Sequence, residues 1–420
     1  MCTRPVLLVH HDPQQLATVL PVLRARPRLG MDFETTGLNW RTDRLRLMQF
    51  SDGDHAWLID AFTCPLVRLE PLLASGTLFI GHNLKFELHW LRKVGLPIPT
   101  CLRDTWILEH LLVAQGGKKQ LRCGLEDVAE RVLGETLDKA YQKADWSGVL
   151  TPGHLAYAAT DAQVVVPIVD VLEERIAEAG LTDIATLEHT CLPAMAWLEE
   201  SGMPIDIGPW LALADDAECR TNALDQSMQA LVDASGYAKP ITYTKTGKVP
   251  KSHNPLINWN SDPQVLGVFR ARGFEVDSRS RESLKMLKTD DPVVVQYIER
   301  STWCARTKLG ATWVKAHVSE GRVYANFLQT GSSAGRMSCK DPNLQNIPRD
   351  KVYRACFRAP EGYCLIKIDY GQVELRVAAV LANETTMLDA LARGEDLHRK
   401  TAARGEVDLS RPLRPERPPG

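Results

Sequence analysis

The chain has 420 residues, which is more than one hydrophobic core usually serves, so two or three domains are expected. Hydrophobic residues make up 44 % of the chain and charged residues 24 %, proportions that are ordinary for a soluble globular protein. The 50 Lys and Arg residues nearly balance the 52 Asp and Glu residues. The net charge of -2 therefore neither favours nor excludes a nucleic-acid partner, and any basic surface must be local.

The cysteines argue against a disulfide-stabilised or zinc-binding protein, and the N-terminus argues against a signal peptide or membrane span. The 10 cysteines are scattered, with no C-x-x-C pair and no Cys/His spacing suited to zinc, so we expect them to be reduced and buried in a cytoplasmic protein. The apolar run Val6–Val9 is too short for a signal peptide or a membrane span, and no membrane partner is expected.

Residues 1–185 alternate short apolar runs with helical periodicity, which is the pattern of an α/β domain. The pattern predicts four strands, in RLGMDFETTGLNW, RLRLMQFSD, HAWLIDAF and LFIGHN. It also predicts helices at about Lys85–Val94, Leu102–Ala114, Leu125–Leu133 and Thr151–Ala179, the last closed by Gly180.

Three further regions follow along the chain. Residues 186–320 are mostly helical in pattern and include the lysine-rich stretch Lys239–Lys251, which is either a solvated loop or a phosphate-backbone contact. Residues 321–404 regain strand character in RVYANFLQT and in YCLIKIDYGQVELRVAAVLA. The Pro/Arg-rich residues 405–420 are expected to be disordered.

Acidic residues in the first region are spaced so that they can meet. Asp32 and Glu34 lie two apart at a strand end and share one face, while Tyr157 and Asp161 lie one helical turn apart. Glu87 follows another strand end. Carboxylates of this kind can hold two Mg²⁺ or Mn²⁺ ions for phosphodiester hydrolysis, and a phenol can orient the water. Taken singly, Asp32 and Glu34 are better explained as parts of a solvated turn, Tyr157 as a helix-packing residue and Asp161 as a surface charge.

Taken together, DFET, GHNLKFE and YAATDA resemble the three motifs of the DEDD-type 3′→5′ exonucleases, tyrosine variant. The resemblance implies a ribonuclease-H-like α/β domain with a mixed sheet flanked by helices. It also implies metal ligation by Asp32, Glu34 and Asp161, water orientation by Tyr157, and a substrate contact from Asn83.

One position departs from that family. Glu87 stands where the family has Asp, so the carboxylate is kept but lies one methylene further out. We expect Glu87 to ligate a metal as the family's Asp does, with looser geometry, a slower reaction and a preference for Mn²⁺.

The sequences AGRMSCKDPNLQNIP and IDYGQVELRVAA resemble the palm of family A DNA polymerases. This second resemblance implies a helical thumb at residues 186–320 and a partial α+β palm at 321–404. It implies that Asp369 is a metal-binding catalytic carboxylate and that Glu374 selects deoxynucleotides. Contacts to the primer–template would come from Arg336, Asn343 and Gln345.

The fingers helix and the second palm carboxylate of that family have no counterpart after Asp369. The expected function is therefore metal-dependent removal of nucleotides from DNA 3′ ends, with an incomplete polymerase domain that does not synthesise DNA alone. A frameshifted or truncated gene, a chain end chosen for expression, or a split polymerase completed by another chain would each produce this pattern. Two alternatives remain, a non-catalytic DNA-binding or assembly subunit of a split polymerase and a ribonuclease D-like exoribonuclease.

Overall fold

A computed structural model of the chain describes residues 6–9, 13–115, 122–237, 255–332 and 334–404. By the density of internal contacts the chain divides into two compact units, Met1–Arg358 and Ala359–Gly420. These units do not coincide with the three regions expected from the sequence, whose boundaries remain predictions. The stretch Lys239–Lys251 and residues 405–420 lie outside the described residues.

The first unit contains a six-stranded mixed sheet with strand order β1-β4-β3-β2-β5-β6. The strands are β1 (Val6–Val9), β2 (Arg28–Thr35), β3 (Leu45–Ser51), β4 (Ala56–Asp60), β5 (Leu78–Gly81) and β6 (Leu102–Asp104). β2 is central, antiparallel to β3 and parallel to β5. The helices around the sheet are α1 (Pro13–Arg24), α2 (Glu70–Leu73), α3 (Lys85–Lys93), α4 (Thr105–Gln115), α5 (Leu125–Leu133) and α6 (Pro152–Glu178). The predicted α/β architecture of this region is confirmed.

The four predicted strands and the bounds of three predicted helices agree with the structure to within a few residues. The helix predicted at Leu102–Ala114 is wrong at its start, since Leu102–Asp104 is strand β6 and the helix begins at Thr105. The reason is pairing: Leu102 lies opposite Phe79 of β5, so these residues satisfy their backbone groups in the sheet.

Helix α6 crosses the face of the sheet on which Gly30 lies. A Cβ atom at Gly30 would lie 2.0 Å from the carbonyl oxygen of Ala162, so only glycine allows this approach. By length and apolar composition α6 could span a membrane, but 61 % of its most apolar window is buried, as in the core helix of a globular domain. The close packing at Gly30 sets the distance between α6 and β2.

The mostly helical pattern predicted for residues 186–320 is confirmed, and within the described residues of 182–358 all the short strands but one lie near the end. The helices are α7 (Thr182–Ser201), α8 (Ile207–Ala234), α9 (Asp262–Ala271), α10 (Arg281–Met286), α11 (Pro292–Thr307), α12 (Ala311–His317) and α13 (Lys351–Arg354). The strands are β7 (Met203–Pro204), β8 (Val318–Ser319), β9 (Arg322–Val323), β10 (Asn326–Leu328) and β11 (Ser338–Lys340).

In the second unit the described residues form helices α14 (Val373–Leu381), α15 (Thr385–Ala392) and α16 (Leu397–Arg404). The strand predicted in YCLIKIDYGQVELRVAAVLA is wrong, because residues 363–370 are exposed and irregular and the second half of the segment is helical. Among the described residues of this unit there is no strand with which 363–370 could pair.

The expectation that the cysteines are buried is also only partly right. Cys64, Cys123, Cys339 and Cys356 are buried and unoxidised, as expected. Cys191, Cys219 and Cys364 are exposed free thiols. The first two lie on the long helices α7 and α8, whose outer faces meet solvent.

Candidate active site

Strand β2 supplies two of the acidic residues. Asp32 and Glu34 alternate with the buried apolar residues Met31 and Phe33, so both carboxylates leave the face of the sheet that α6 covers. Both are half-buried. Gly30, on the same face, fixes how closely α6 approaches them.

Helix α6 supplies the partners of β2. It begins after Thr151, whose hydroxyl accepts a hydrogen bond from the backbone N–H of His154, and it has Pro152 in its first turn. Asp161 is buried and Tyr157, one turn earlier, donates a hydrogen bond to its carboxylate. Because Ala162 is the residue that contacts Gly30, Asp161 lies beside the stretch of β2 that carries Asp32.

The fourth carboxylate comes from the turn after β5. The backbone N–H groups of Asn83 and Leu84 each donate a hydrogen bond of 2.8 Å to the carboxylate of Asp104, at the end of β6. Asn83 adopts a left-handed conformation, with φ of 62°. This turn starts helix α3, in whose first turn Glu87 is buried. Asp104 therefore sets the direction in which α3 presents Glu87.

Burial raises the pKa of all four carboxyl groups, and repulsion by neighbouring site carboxylates adds to the rise in three of them. Burial, followed by the charges of Asp32 and Asp161, raises the pKa of Glu34 to about 10. The pKa of Asp32 is raised by burial and by the charge of Asp161, and that of Asp161 is raised by burial. Burial and the charge of Asp32 raise the pKa of Glu87 well above its ordinary value. A site of this kind gains stability from added positive charge.

Two of these carboxylates, Asp32 and Asp161, border a cleft of about 980 Å³. Asp32, Asn83, Tyr157 and Asp161 line it. The Oε2 atom of Glu87 is buried and has no hydrogen-bond partner. Hard oxygen donors that repel one another, one of them unsatisfied, fit divalent cations such as Mg²⁺ or Mn²⁺. As the side chains stand, no three carboxylate, imidazole or thiol groups among the described residues form a complete ligand set.

The residues expected to contact a primer–template lie elsewhere in the first unit. Arg336 is exposed in the turn before β11, where its backbone N–H donates to the hydroxyl of Ser332. Asn343 is exposed and its side chain accepts from the backbone N–H of Gln345, whose amide donates to the carbonyl of Met337. None of the three lines the carboxylate cleft. They form a separate polar segment between residues 336 and 345.

Asp369 and Glu374 belong to the second unit. Asp369 is exposed in the irregular segment 363–370, and Glu374 is exposed in the first turn of α14. Gln372, just before α14, has a left-handed backbone with φ of 54°. Within the described part of this unit Asp369 has no second acidic residue beside it on a paired strand.

Two residues of the site are not singled out by the sequence patterns. Asp104 accepts the hydrogen bonds that hold the turn at Asn83, and Lys139 lines the cleft beside the carboxylates. A buried Asp at the start of a predicted helix is a signal for a capping role, and it is present in DTWILEHLL. Lys139 lies in an irregular segment between α5 and α6, where no periodic pattern indicates which way a side chain points.

Comparison with known families assigns most of the chain. Residues 9–177 match the family model for the 3'-5' exonuclease domain, and residues 268–410 match that for DNA polymerase family A. The first match contains the four carboxylates, and the second contains Asp369.

Curated relatives and a solved structure agree with these two matches. DNA polymerase I of Aquifex aeolicus is 31 % identical over 402 residues, covering 91 % of this chain and 64 % of the relative. DNA polymerase I of Rhizobium leguminosarum is 28 % identical, covering 80 % of this chain and 33 % of the relative. The chain thus spans less than two thirds of the length of these relatives.

The solved structure is the POL domain of Pol1 from M. smegmatis in complex with DNA primer-template and dNTP. It superposes with a TM-score of 0.77 at 21 % identity, covering 97 % of this chain and 68 % of that one, which is a likeness of fold. The chain therefore contains one region similar to the 3'-5' exonuclease family and a second region similar to DNA polymerase family A.

Proposed function

We propose that the chain removes nucleotides from the 3′ ends of single-stranded DNA with the aid of two divalent metal ions. The observation that carries this proposal is that Asp32 and Asp161 line one open cleft, with Glu34 and Glu87 close enough to interact with Asp32, and that all four carboxyl groups have a raised pKa. Exonucleases and polymerases of the two matched families depend on metal ions.

In this proposal Asp32, Glu34, Glu87 and Asp161 would hold the metal ions, which when bound would supply a nucleophile from water and stabilise the leaving oxygen. Tyr157 orients the attacking water with its phenol, which the Asp161 carboxylate holds in place. Asn83, exposed on the cleft wall, contacts the substrate.

The direct test measures hydrolysis by the purified chain of a 5′-labelled oligonucleotide, as single-stranded DNA and as RNA of the same sequence. Stepwise shortening of the DNA from its 3′ end, dependent on Mg²⁺ or Mn²⁺ and lost in EDTA, is expected. Shortening of RNA alone would instead establish a ribonuclease D-like enzyme. Binding without any hydrolysis would favour the non-catalytic subunit.

Glu87 provides the sharpest variant pair for this proposal. Glu87→Gln keeps the length of the side chain and removes its charge, so it should lower the rate by at least about 100-fold if Glu87 ligates a metal. Glu87→Asp shortens the side chain to the family's residue and should raise the Mg²⁺-supported rate several-fold, by the geometric argument that a misplacement of about 1 Å costs roughly 100-fold. An unchanged rate in Glu87→Gln with both metals would remove Glu87 from the ligand set.

For the polymerase region we propose that this 420-residue chain does not extend a primer by itself. The support is the environment of Asp369, which is exposed in a segment without a paired strand. A catalytic carboxylate must be held rigidly to position metal ions. Primer extension that disappears in Asp369→Ala would contradict this proposal, and extension restored by a separate chain would support a split polymerase.

A further inference from the structure

We infer that Lys139 binds a phosphate of the single-stranded DNA in the carboxylate cleft, next to the bond that is cut. This inference rests on the proposed nuclease function and adds a residue to it. Lys139 lines the cleft, and its Nζ lies 5.9 Å from the centre of the Tyr157 ring. It is therefore a cation at the side of the residue proposed to orient the water.

The segment between α5 and α6 holds Lys139 in this position. Leu137 is buried, and the side chain of Asp138 accepts a hydrogen bond of 2.9 Å from the backbone N–H of Ala140. Tyr141 packs against α6, where a Cβ at Gly153 would come within 2.0 Å of the phenol oxygen. Lys139 stands between two anchored residues, so the backbone that carries it is fixed against the N-terminal part of α6.

The charges around Lys139 leave it able to take a further anion. Its ammonium lies 3.2 Å from the carboxylate of Glu126 in a partly exposed pair, and the Lys139 side chain remains 25 % exposed. Such a pair contributes little and is readily exchanged. The positive charge of Lys139 opposes, without reversing, the rise in the pKa of Asp32, Glu34 and Asp161 that burial causes.

A lysine at this position offsets the electrostatic repulsion between the carboxylates and the phosphates of the DNA. Four acidic groups repel the phosphates of an incoming strand, and a mobile ammonium is a suitable point-charge partner for one of them. Glu126 can release Lys139 at the cost of a half-exposed ion pair. Metal ions in the site would cancel the carboxylate charge and leave the ammonium free to face the strand.

The test measures binding of a short oligothymidylate by fluorescence anisotropy, with Ca²⁺ in place of Mg²⁺ and again in EDTA. The oligonucleotide is checked for integrity after each titration. Lys139→Met is compared with wild type, with Lys139→Arg, which keeps the charge, and with Lys143→Met. Lys143 is exposed in the same segment and does not line the cleft, so it is the matched control.

We expect Lys139→Met to bind about tenfold more weakly, as for one charged hydrogen bond, with Lys139→Arg and Lys143→Met close to wild type. The slope of log K against log salt should become shallower by about 0.7, the value for one phosphate on a single strand. A neutral methylphosphonate at the 3′-terminal linkage should weaken binding by the wild type and leave binding by Lys139→Met unaffected. Such non-additivity between a change in the protein and a change in the DNA, here called the coupled cycle, indicates that the two groups interact.

The inference is overturned if Lys139→Met keeps wild-type affinity and salt slope, or if the methylphosphonate weakens both proteins equally. These outcomes are separate from failure of the nuclease proposal. A wild-type chain that shows the coupled cycle but never shortens DNA overturns hydrolysis and keeps the phosphate contact. A chain that shortens DNA while Lys139→Met binds like wild type overturns the phosphate contact and keeps hydrolysis.

Discussion

Two segments of the chain place an aspartate after apolar residues, and they differ completely in structure. In β2, Met31 is fully buried and Asp32 follows it between the neighbouring strands β3 and β5. In LIKID of the second unit, Ile368 is 87 % exposed and Asp369 follows it on an irregular backbone. Apolar β-branched residues are thus insufficient for a strand, because the backbone groups also need partners on a neighbouring strand.

The comparison also separates two kinds of aspartate. Burial and the charge of Asp161 raise the pKa of Asp32. Asp369 is exposed on an irregular backbone. The surroundings of Asp32 form a preformed acidic site, whereas the carboxylate of Asp369 has no packed elements around it among the described residues of its unit.

The largest expected effect comes from exchanging the two aspartates for asparagine. Asp32→Asn removes a proposed metal ligand and should slow hydrolysis of single-stranded DNA by at least about 100-fold. Asp369→Asn should leave the rate within about twofold, because substitution of an exposed residue disturbs little. Rates measured on one oligonucleotide decide the matter, and equal losses in both variants would mean that hydrolysis needs both aspartates.

Next in size is the contrast between the residues that precede the aspartates. Met31→Ala should lower the free energy of unfolding by about 2–5 kcal/mol, the range for truncating a buried methionine. Ile368→Ala should change it by less than about 0.5 kcal/mol. Urea denaturation followed by tryptophan fluorescence measures both. A destabilised Ile368→Ala would mean that the segment 363–370 is packed in solution.

A smaller effect tests the contact that sets the spacing of β2 and α6. Gly30→Ala forces a Cβ against the carbonyl of Ala162 and should cost about 1–3 kcal/mol, as overpacking does. Gly148→Ala is the matched control, because its Cβ would meet nothing within 4 Å. Thermal unfolding of the two variants should differ in this direction, and equal midpoints would show that α6 can shift away from the sheet freely.

The smallest expected effect, when stability is compared over a single pH unit, concerns pH. The folded protein holds a proton on Glu34 up to about pH 10, whereas the unfolded chain releases it near its ordinary pKa of 4.5. The stability of the metal-free chain should therefore fall as pH rises between these values, by at most about 1.4 kcal/mol per pH unit for each such proton. Thermal unfolding in EDTA measures the slope. Glu34→Gln should flatten it, and Mn²⁺ should stabilise the chain more at higher pH.

The sequence is sufficient for those features that depend on local pattern. The alternation around Asp32 and Glu34 predicts β2, and the one-turn spacing of Tyr157 and Asp161 places them on one face of α6, where they are hydrogen-bonded. Three predicted helices agree with the structure because their periodicity and end signals coincide. The family resemblances are confirmed by the matches to both family models.

The sequence is insufficient where structure depends on distant partners. Residues Leu102–Asp104 begin with an apolar residue that fits the helical pattern of the residues after it. They form a strand because their backbone groups pair with those of β5. The segment 363–370 is the opposite case, with strand-forming residues and no described strand to pair with. Lys139 points into the cleft because Leu137 and Tyr141 are anchored in tertiary contacts. The roles of the individual site residues stay predictions.

Helix α3 limits how the Glu87 carboxylate can be adjusted. Within nine residues it also carries Lys85, whose Nζ lies 2.6 Å from a Glu199 oxygen, and His89, whose ring nitrogens lie 2.8 and 2.7 Å from Glu199 and Glu200. The charges of those glutamates help raise the pKa of His89. These buried pairs hold α3 against α7, so that α3 can neither translate along α7 nor rotate about its own axis. The side-chain torsion angles of Glu87 must therefore accommodate its extra methylene. Amino-acid substitutions at this position are accordingly restricted to residues with flexible side chains.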